Sequence, residues 1–198
     1  MRFEVELKFR LTAFQSIEIA MREIGAVEES TTTHLDRYFN HPSRDFRASD
    51  EAFRIRSIGD QNCLTYKGPV VGKVAKTRHE IEVDFSEGDR AAAQLTEMVT
   101  LLGFRFVREV KKIRRSFKLD WETNHYEIAL DELPELGKFI ELELLADCDQ
   151  REAAEAATWK LATLLGLSTA ESRSYLDLLV ECDGRLGSTI SQKQTGSR

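Results

Sequence analysis

Glu4-Val5-Glu6 and Glu141-Leu142-Glu143 each place two carboxylates two residues apart, in stretches that alternate charged and apolar residues. Successive side chains of a β-strand point to opposite faces, so both acids of each pair face the same way. Paired carboxylates are oxygen-only ligands, the kind that suits hard cations such as Mg2+ or Mn2+. Bases occupy the same alternating setting. Lys8 and Arg10 continue the phase of Glu4 and Glu6, Arg54 and Arg56 alternate with Phe53 and Ile55, and Lys112 and Arg114 flank Ile113. Lys67 is opposite in phase to Leu64 and Tyr66; Arg78, Glu80, Glu82 and Asp84 share one face; Asp131 is out of phase with Ile128 and Leu130. Acids for a cation and bases for a compact polyanion together match a metal-bound triphosphate.

Elements that could hold these residues follow from pattern. "FEVELKFR" is a strand by strict alternation, and Thr12 and Gln15 have capping-box spacing before a helix that suits an end at Gly25. "STTTHLDRYFN" reads as a strand, "AFRIRSIG" and "QNCLTYKGP" as a hairpin around Gly59-Asp60, and "VVGKVAKTRHEIEVDF" as the approach to a longer strand. Ser86 and Asp89 predict the start of a helix to Leu102, closed by Gly103. Strands follow in "FRFVREVKKIRRSFKLDW", "HYEIALDEL" and "GKFIELELLA". Asp149 and Glu152 then open a helix that ends at Gly166, and "ESRSYLDLL" is a short last helix. Residues 183–198 are polar and rich in Gly and Ser, the composition of a disordered tail after a single domain spanning 1–182.

About eight strands, most of them consecutive, argue for an antiparallel sheet. Each major strand carries one apolar and one charged face. An open sheet with its polar face in water explains any one strand. The set is less ordinary, because these positions are almost exclusively Arg, Lys, Glu and Asp rather than Thr, Ser or Gln. The alternative is a sheet closed with its charged face inward, and a barrel of about eight strands encloses a small-ligand cavity. Buried charges left unmatched cost several kcal/mol each, so water or a ligand must fill such an interior.

Composition narrows the function classes. The formal charge is −6, and residues 184–198 hold three bases and no acid, so the body has 25 bases against 34 acids. That balance excludes nucleic acid as a natural partner, since a basic stripe is missing. No apolar run approaches a membrane span, the N-terminus lacks a signal-peptide core, and cytoplasmic residence is the expectation. Three scattered cysteines, Cys63, Cys148 and Cys182, suggest neither disulfides nor zinc. The four histidines show no metal spacing, and Trp121 and Trp159 read as packing residues.

In family order, Glu4-x-Glu6-x-Lys8, "DRYF", "RIR", "TYKGP", "RHEIE", "KKIRRS", "LDELPELGKFIELE" and "RSYLDLL" resemble the CYTH superfamily, the triphosphate tunnel metalloenzymes. The resemblance implies an α+β fold, a closed antiparallel eight-stranded β-barrel with helices packed outside. It implies metal ligation by Glu4, Glu6, Asp131, Glu141 and Glu143, with Glu80 and Glu82 as further members, and Mg2+ or Mn2+ as the cofactor. It implies triphosphate binding by Lys8, Arg54, Arg56, Lys67, Lys112 and Arg114, with Lys8, Lys67 and Arg114 catalytic. Arg78 and Arg10 have the inward phase with less family support, whereas Lys111 and Arg115 belong outside. Tyr38 either touches the ligand or packs. The closest resemblance, through "EVELKFR", "KGP" and Arg173-Ser174-Tyr175, is to class IV adenylate cyclases, which convert ATP to cyclic AMP and pyrophosphate. Relatives are triphosphatases acting on tripolyphosphate, thiamine triphosphate or nucleoside triphosphates. A third reading is a non-catalytic polyphosphate-binding module, for which so many carboxylates are superfluous. A homodimer is expected from the family alone.

Overall fold

Alternating strands make this fold, and their phase decides which face is inside. The computed structural model describes residues 2–69, 76–147 and 150–194. Along the chain these form β1 (Arg2–Leu11), α1 (Gln15–Glu23), β2 (Val27–Asn40), β3 (Ala52–Ile58), β4 (Gln61–Lys67), β5 (Lys76–Arg78) and β6 (Glu80–Phe85). There follow α2 (Asp89–Leu101), β7 (Arg105–Trp121), β8 (Asn124–Leu133), β9 (Gly137–Asp147), α3 (Arg151–Leu164) and α4 (Tyr175–Gln194).

All ladders are antiparallel, in the order β5-β1-β9-β8-β7-β2-β3-β4-β6. The two outermost strands are halves of one stretch, separated only by His79. The first half pairs with β1 through Glu4↔Arg78, and the second with β4 through Lys67↔Glu80. At the break, Gly68 N donates to the His79 carbonyl at 2.9 Å. The sheet therefore closes through its own chain, and with 76–85 counted once the ring has eight strands. Closure disposes of the exposed sheet edges that an open sheet would carry.

Apolar side chains point out of this ring. Val5, Leu7 and Phe9 of β1, with Ile128, Leu130, Ile140 and Leu142, pack under Ile17 and Met21 of α1 and Leu161 and Ala162 of α3. Val99 of α2 covers Phe39 and Ile55. Helices on the outward face leave the charged face inside. One end of the ring is different: Tyr38, Val110, Leu133 and Phe139 share the inward phase, and Tyr175, Leu178 and Leu179 of α4 pack on them. Ahead of α4, Phe9 bridges Ala170 and Glu171 N donates to the Lys8 carbonyl at 2.7 Å. This segment flanks β1 beyond the Glu4–Glu6 stretch that pairs with β5.

Helix starts depart from the sequence expectations. Strand β1 runs to Leu11, leaving Thr12 in the turn, so α1 begins at Gln15 with Phe14 as an uncapped N-cap. Helix α2 starts after Gly88 at φ 87° without a side-chain cap; instead Asn62 donates to the Ser86 and Gly88 carbonyls, each at 3.0 Å. Helix α3 follows Gln150, and Asp149 lies outside the described residues. Helix α4 continues past the short helix read from sequence and takes up residues 183–194 of the expected tail. The β3–β4 hairpin forms with Ile58 opposite Gln61.

Candidate functional site: a charged cavity inside the ring

Inward side chains from all parts of the ring line a cavity of about 1230 Å3. Three groups of charges compose it. In the first, β1 contributes Glu4 and Glu6, and β9 places Glu143 directly opposite Glu6. One carboxylate oxygen from each lies within 4.8 Å of the others. Burial raises the Glu143 carboxyl well above the usual range, with Glu4, Glu141 and Glu6 adding to it against the pull of Arg114. Burial also raises Glu4, with Glu80 adding, whereas at Glu6 burial is outweighed by Lys8 and Lys67 and the carboxyl is lowered. Three crowded oxygen donors are what a hard divalent cation relieves, so the trio fits Mg2+ or Mn2+.

The second group centres on Asp131, which is 0% exposed. Lys112 Nζ donates to it at 2.9 Å, Arg114 Nε and Nη2 at 2.8 and 2.6 Å, and the Tyr175 hydroxyl at 3.0 Å. Arg114 also binds Glu141, and Lys8 Nζ lies 3.7 Å from Glu141 and 3.9 Å from Glu6. Burial, helped by Arg114, lowers the Lys112 ammonium to about 8 against the attraction of Asp131 and Glu141. At Asp131 burial is outweighed by Arg114 and Lys112, and the carboxyl falls far below the normal range.

Asp36 anchors the third group. Arg56 binds it in a bidentate fork, Nε and Nη2 both at 2.7 Å, and Arg54 Nη1 reaches it at 3.5 Å. Arg54 also donates to the Tyr38 hydroxyl at 3.4 Å and approaches Glu82 at 3.6 Å and Glu80 at 3.9 Å. Lys67 Nζ lies 2.6 Å from Glu80 and 3.6 Å from Glu4, tying this group to the first. Thr65 Oγ1 donates to Glu82 at 3.0 Å.

The structure thus lines one cavity with the sequence-predicted residues, except Asp131, which lies fully buried behind Lys112 and Arg114, and it divides their company. Glu4, Glu6 and Glu143 meet one another. Glu80, Glu82 and Glu141 meet bases, and both oxygens of Asp131 are held by bases and a tyrosine rather than turned to the acidic trio. Arg78 joins the wall, buried, with Nη1 donating to the Asp50 carbonyl at 3.4 Å. Arg10 stays at the rim, donating to the Leu136 carbonyl at 2.5 Å with its guanidinium 4.6 Å from the Phe139 ring. Lys111 is exposed, and Arg115 sits outside with Glu18 and Glu28.

Three residues were given no place in the site by the sequence reading. Asp36 had a signal, an acid at the inward phase of the strand beside Arg54 and Arg56. Tyr175 stood in the Arg173-Ser174-Tyr175 motif, but as a helix residue it carries no strand phase that would place it inside. His34 shares the phase of Asp36 and is buried, hydrogen-bonded to Thr32 Oγ1 at 2.9 Å. Burial and the cations Arg56, Lys112 and Arg114 lower its imidazole to about 3, so it is neutral at pH 7. Tyr38 packs in the end cluster, and its hydroxyl accepts from Arg54 at 3.4 Å.

The family described as the CYTH domain matches residues 2–175. A protein of Methanocaldococcus jannaschii, named as a putative adenylate cyclase, is 31% identical over 178 residues, 88% of this chain and 97% of its own. Among solved structures, a Pyrococcus horikoshii protein superposes with a TM-score of 0.79 at 38% identity, covering 90% of this chain and 98% of its own. A Hippeastrum protein, a putative adenylyl cyclase described with a dominant triphosphatase activity, has a TM-score of 0.62 at 14% identity. It covers 91% of this chain and 96% of its own, a likeness of fold.

Proposed function

The chain belongs to the CYTH family, and from that premise we propose that it is a metal-dependent enzyme converting ATP to cyclic AMP and pyrophosphate inside the ring of strands. The observation that carries this reading is the meeting of a three-carboxylate cluster with Lys8, Arg54, Arg56, Lys67, Lys112 and Arg114 in one enclosed wall. The likeness to a protein named as a putative adenylate cyclase supports the same reaction.

Each part of the wall has a task in this reading. Glu4, Glu6 and Glu143 hold the cation, which when bound polarises phosphate oxygens as a Lewis acid. Arg54, Arg56 and Lys112 bind phosphate oxygens, and Asp36 and Asp131 keep these bases in place before substrate arrives. Lys8, Lys67 and Arg114 stand beside the acidic trio and stabilise charge that builds on the phosphates as the 3′-hydroxyl attacks. Their fixed placement is the larger contribution, because a preorganised charge need not reorient during reaction.

Incubating the protein with ATP and Mg2+ or Mn2+ and separating the products tests this reading. Cyclic AMP with pyrophosphate supports it. Orthophosphate from ATP, tripolyphosphate or thiamine triphosphate assigns the chain to the hydrolytic branch. Saturable binding of these anions without turnover indicates a polyphosphate-binding module.

A further inference from the structure

Tyr175 is the first residue of α4, and its place is fixed from two directions. Ser174 and Asp177 cap the helix reciprocally: Ser174 N donates to Asp177 Oδ2 and Asp177 N donates to Ser174 Oγ, both at 3.1 Å. Just upstream, Glu171 N holds the Lys8 carbonyl at 2.7 Å. The tyrosine therefore enters the ring at a set height. It is 7% exposed, its ring stands edge-on to Phe139 with centroids 5.0 Å apart, and its hydroxyl reaches Asp131 at 3.0 Å. Two ammonium groups lie over the ring: Lys8 Nζ at 4.4 Å from the centroid and Lys112 Nζ at 5.1 Å.

Lysine is a point charge on a flexible stem and does not hold a direction by itself. An aromatic face attracts an ammonium, and more strongly where water is excluded. Lys8 leaves the ring toward Glu141 and Glu6, and Lys112 toward Asp131, so one side chain borders both bases and their counter-ion. We propose that Tyr175 is a positioning residue: its ring fixes the Lys8 and Lys112 ammoniums on the wall, and its hydroxyl fixes Asp131 between Lys112 and Arg114. Docking of α4 is thereby part of building the phosphate site. The proposal rests on the triphosphate reading for what those bases hold.

Full-length protein with Mg2+ is titrated with inorganic tripolyphosphate by calorimetry, comparing Tyr175→Phe, Tyr175→Leu and Leu161→Ala. Leu161 is fully buried in α3 beneath the outward face, so its truncation loosens the fold without touching the cavity. Tyr175→Leu is expected to weaken binding about tenfold, the scale of two partly desolvated cation–π contacts, and Tyr175→Phe, which keeps the ring, about two- to threefold. Leu161→Ala is expected to lower Tm and leave Kd within about twofold of the parent. Acetic anhydride labelling of ligand-free protein gives an independent reading: Tyr175→Leu should speed modification of Lys8 and Lys112 relative to Lys67, which does not border the ring. Parental affinity and labelling in Tyr175→Leu, or equal weakening by Leu161→Ala, overturns the proposal. If the parent itself binds no tripolyphosphate, the triphosphate reading fails, and the labelling pattern still decides whether Tyr175 positions the lysines.

Discussion

Replacing Asp131 with asparagine separates two roles for one carboxylate. As a metal ligand it would lose cation affinity and little else. As a counter-ion, which its contacts with Lys112, Arg114 and Tyr175 indicate, it would lose stability. Asparagine keeps the size but turns an acceptor-only group into one that presents an NH2 to two cations. Breaking a buried pair by removing one partner costs about 3–5 kcal/mol. Glu141 still binds Arg114, which puts the loss at the lower end, about 3 kcal/mol. At about 2–4 °C per kcal/mol for a domain of this size, Tm should fall by about 6–12 °C.

The loss should also depend on pH, with a sign that can be worked out. The folded Asp131 carboxyl is lowered, so its own contribution is present above the ordinary carboxylate pKa and is lost only as pH falls through the lower folded value. Between pH 6.5 and 9 it is constant. Lys112, already lowered to about 8, loses an attraction in the variant and releases its proton more readily. At pH 9 one of the two uncompensated charges has therefore gone. Thermal denaturation of parent and Asp131→Asn at pH 6.5 and 9 should show the larger deficit at 6.5. A variant as stable as its parent but with weakened Mg2+ affinity would refute the counter-ion role, and a deficit equal at both pH values would refute its electrostatic origin.

Glu143→Gln should reduce Mg2+-dependent turnover by about 100-fold or more while raising the stability of the metal-free protein, since it relieves a crowded, buried carboxyl; product assay and urea denaturation check both halves. The pH profile of kcat/KM should fall above about pH 8 as Lys112 loses its proton, and Lys112→Arg, which stays charged, should flatten that limb. His34 has a folded pKa of about 3 against the ordinary 6.5, so stability declines as pH drops below 6.5; His34→Gln should recover up to about 2 kcal/mol at pH 5, measured by urea denaturation.

The two faces of the strands were legible because period-two alternation states them directly. Glu4, Glu6, Lys8, Glu141 and Glu143 declare their common side of the sheet without any knowledge of neighbours. Closure was only half legible: phase said the charged sides agree, while the continuity of β5 into β6 that joins the two edges needed register. The company each charge keeps could not be read at all. Asp131 and Glu143 have the same phase signature, yet one is held by two bases and a tyrosine, whereas the other crowds against Glu4 and Glu6 with Arg114 3.8 Å away. Register and shear between β7, β8 and β9 decide that difference, and neither is encoded in a single strand. Capping failed for a related reason. Asn62 on β4 ties down the carbonyls ahead of α2, a tertiary contact that the local Ser86–Asp89 pattern does not show.

Among the inward charges named above, the eight carboxylates Glu4, Glu6, Asp36, Glu80, Glu82, Asp131, Glu141 and Glu143 stand against seven bases, most of which already have a carboxylate within 4 Å. A triphosphate entering such a wall meets no net attraction and must compete with Asp36, Asp131 and Glu141 for their partners. Filling the Glu4–Glu6–Glu143 cluster with a divalent cation changes the balance by two charges. At about 6 Å and an effective dielectric near 20, each unit charge interacts with a phosphate charge by about 3 kcal/mol, or roughly 100-fold in affinity. Tripolyphosphate binding measured by calorimetry should therefore weaken about 100-fold or more when EDTA replaces Mg2+. Equal affinity with and without the cation would mean that the bases alone suffice. The acidic trio would then have some purpose other than drawing the anion in.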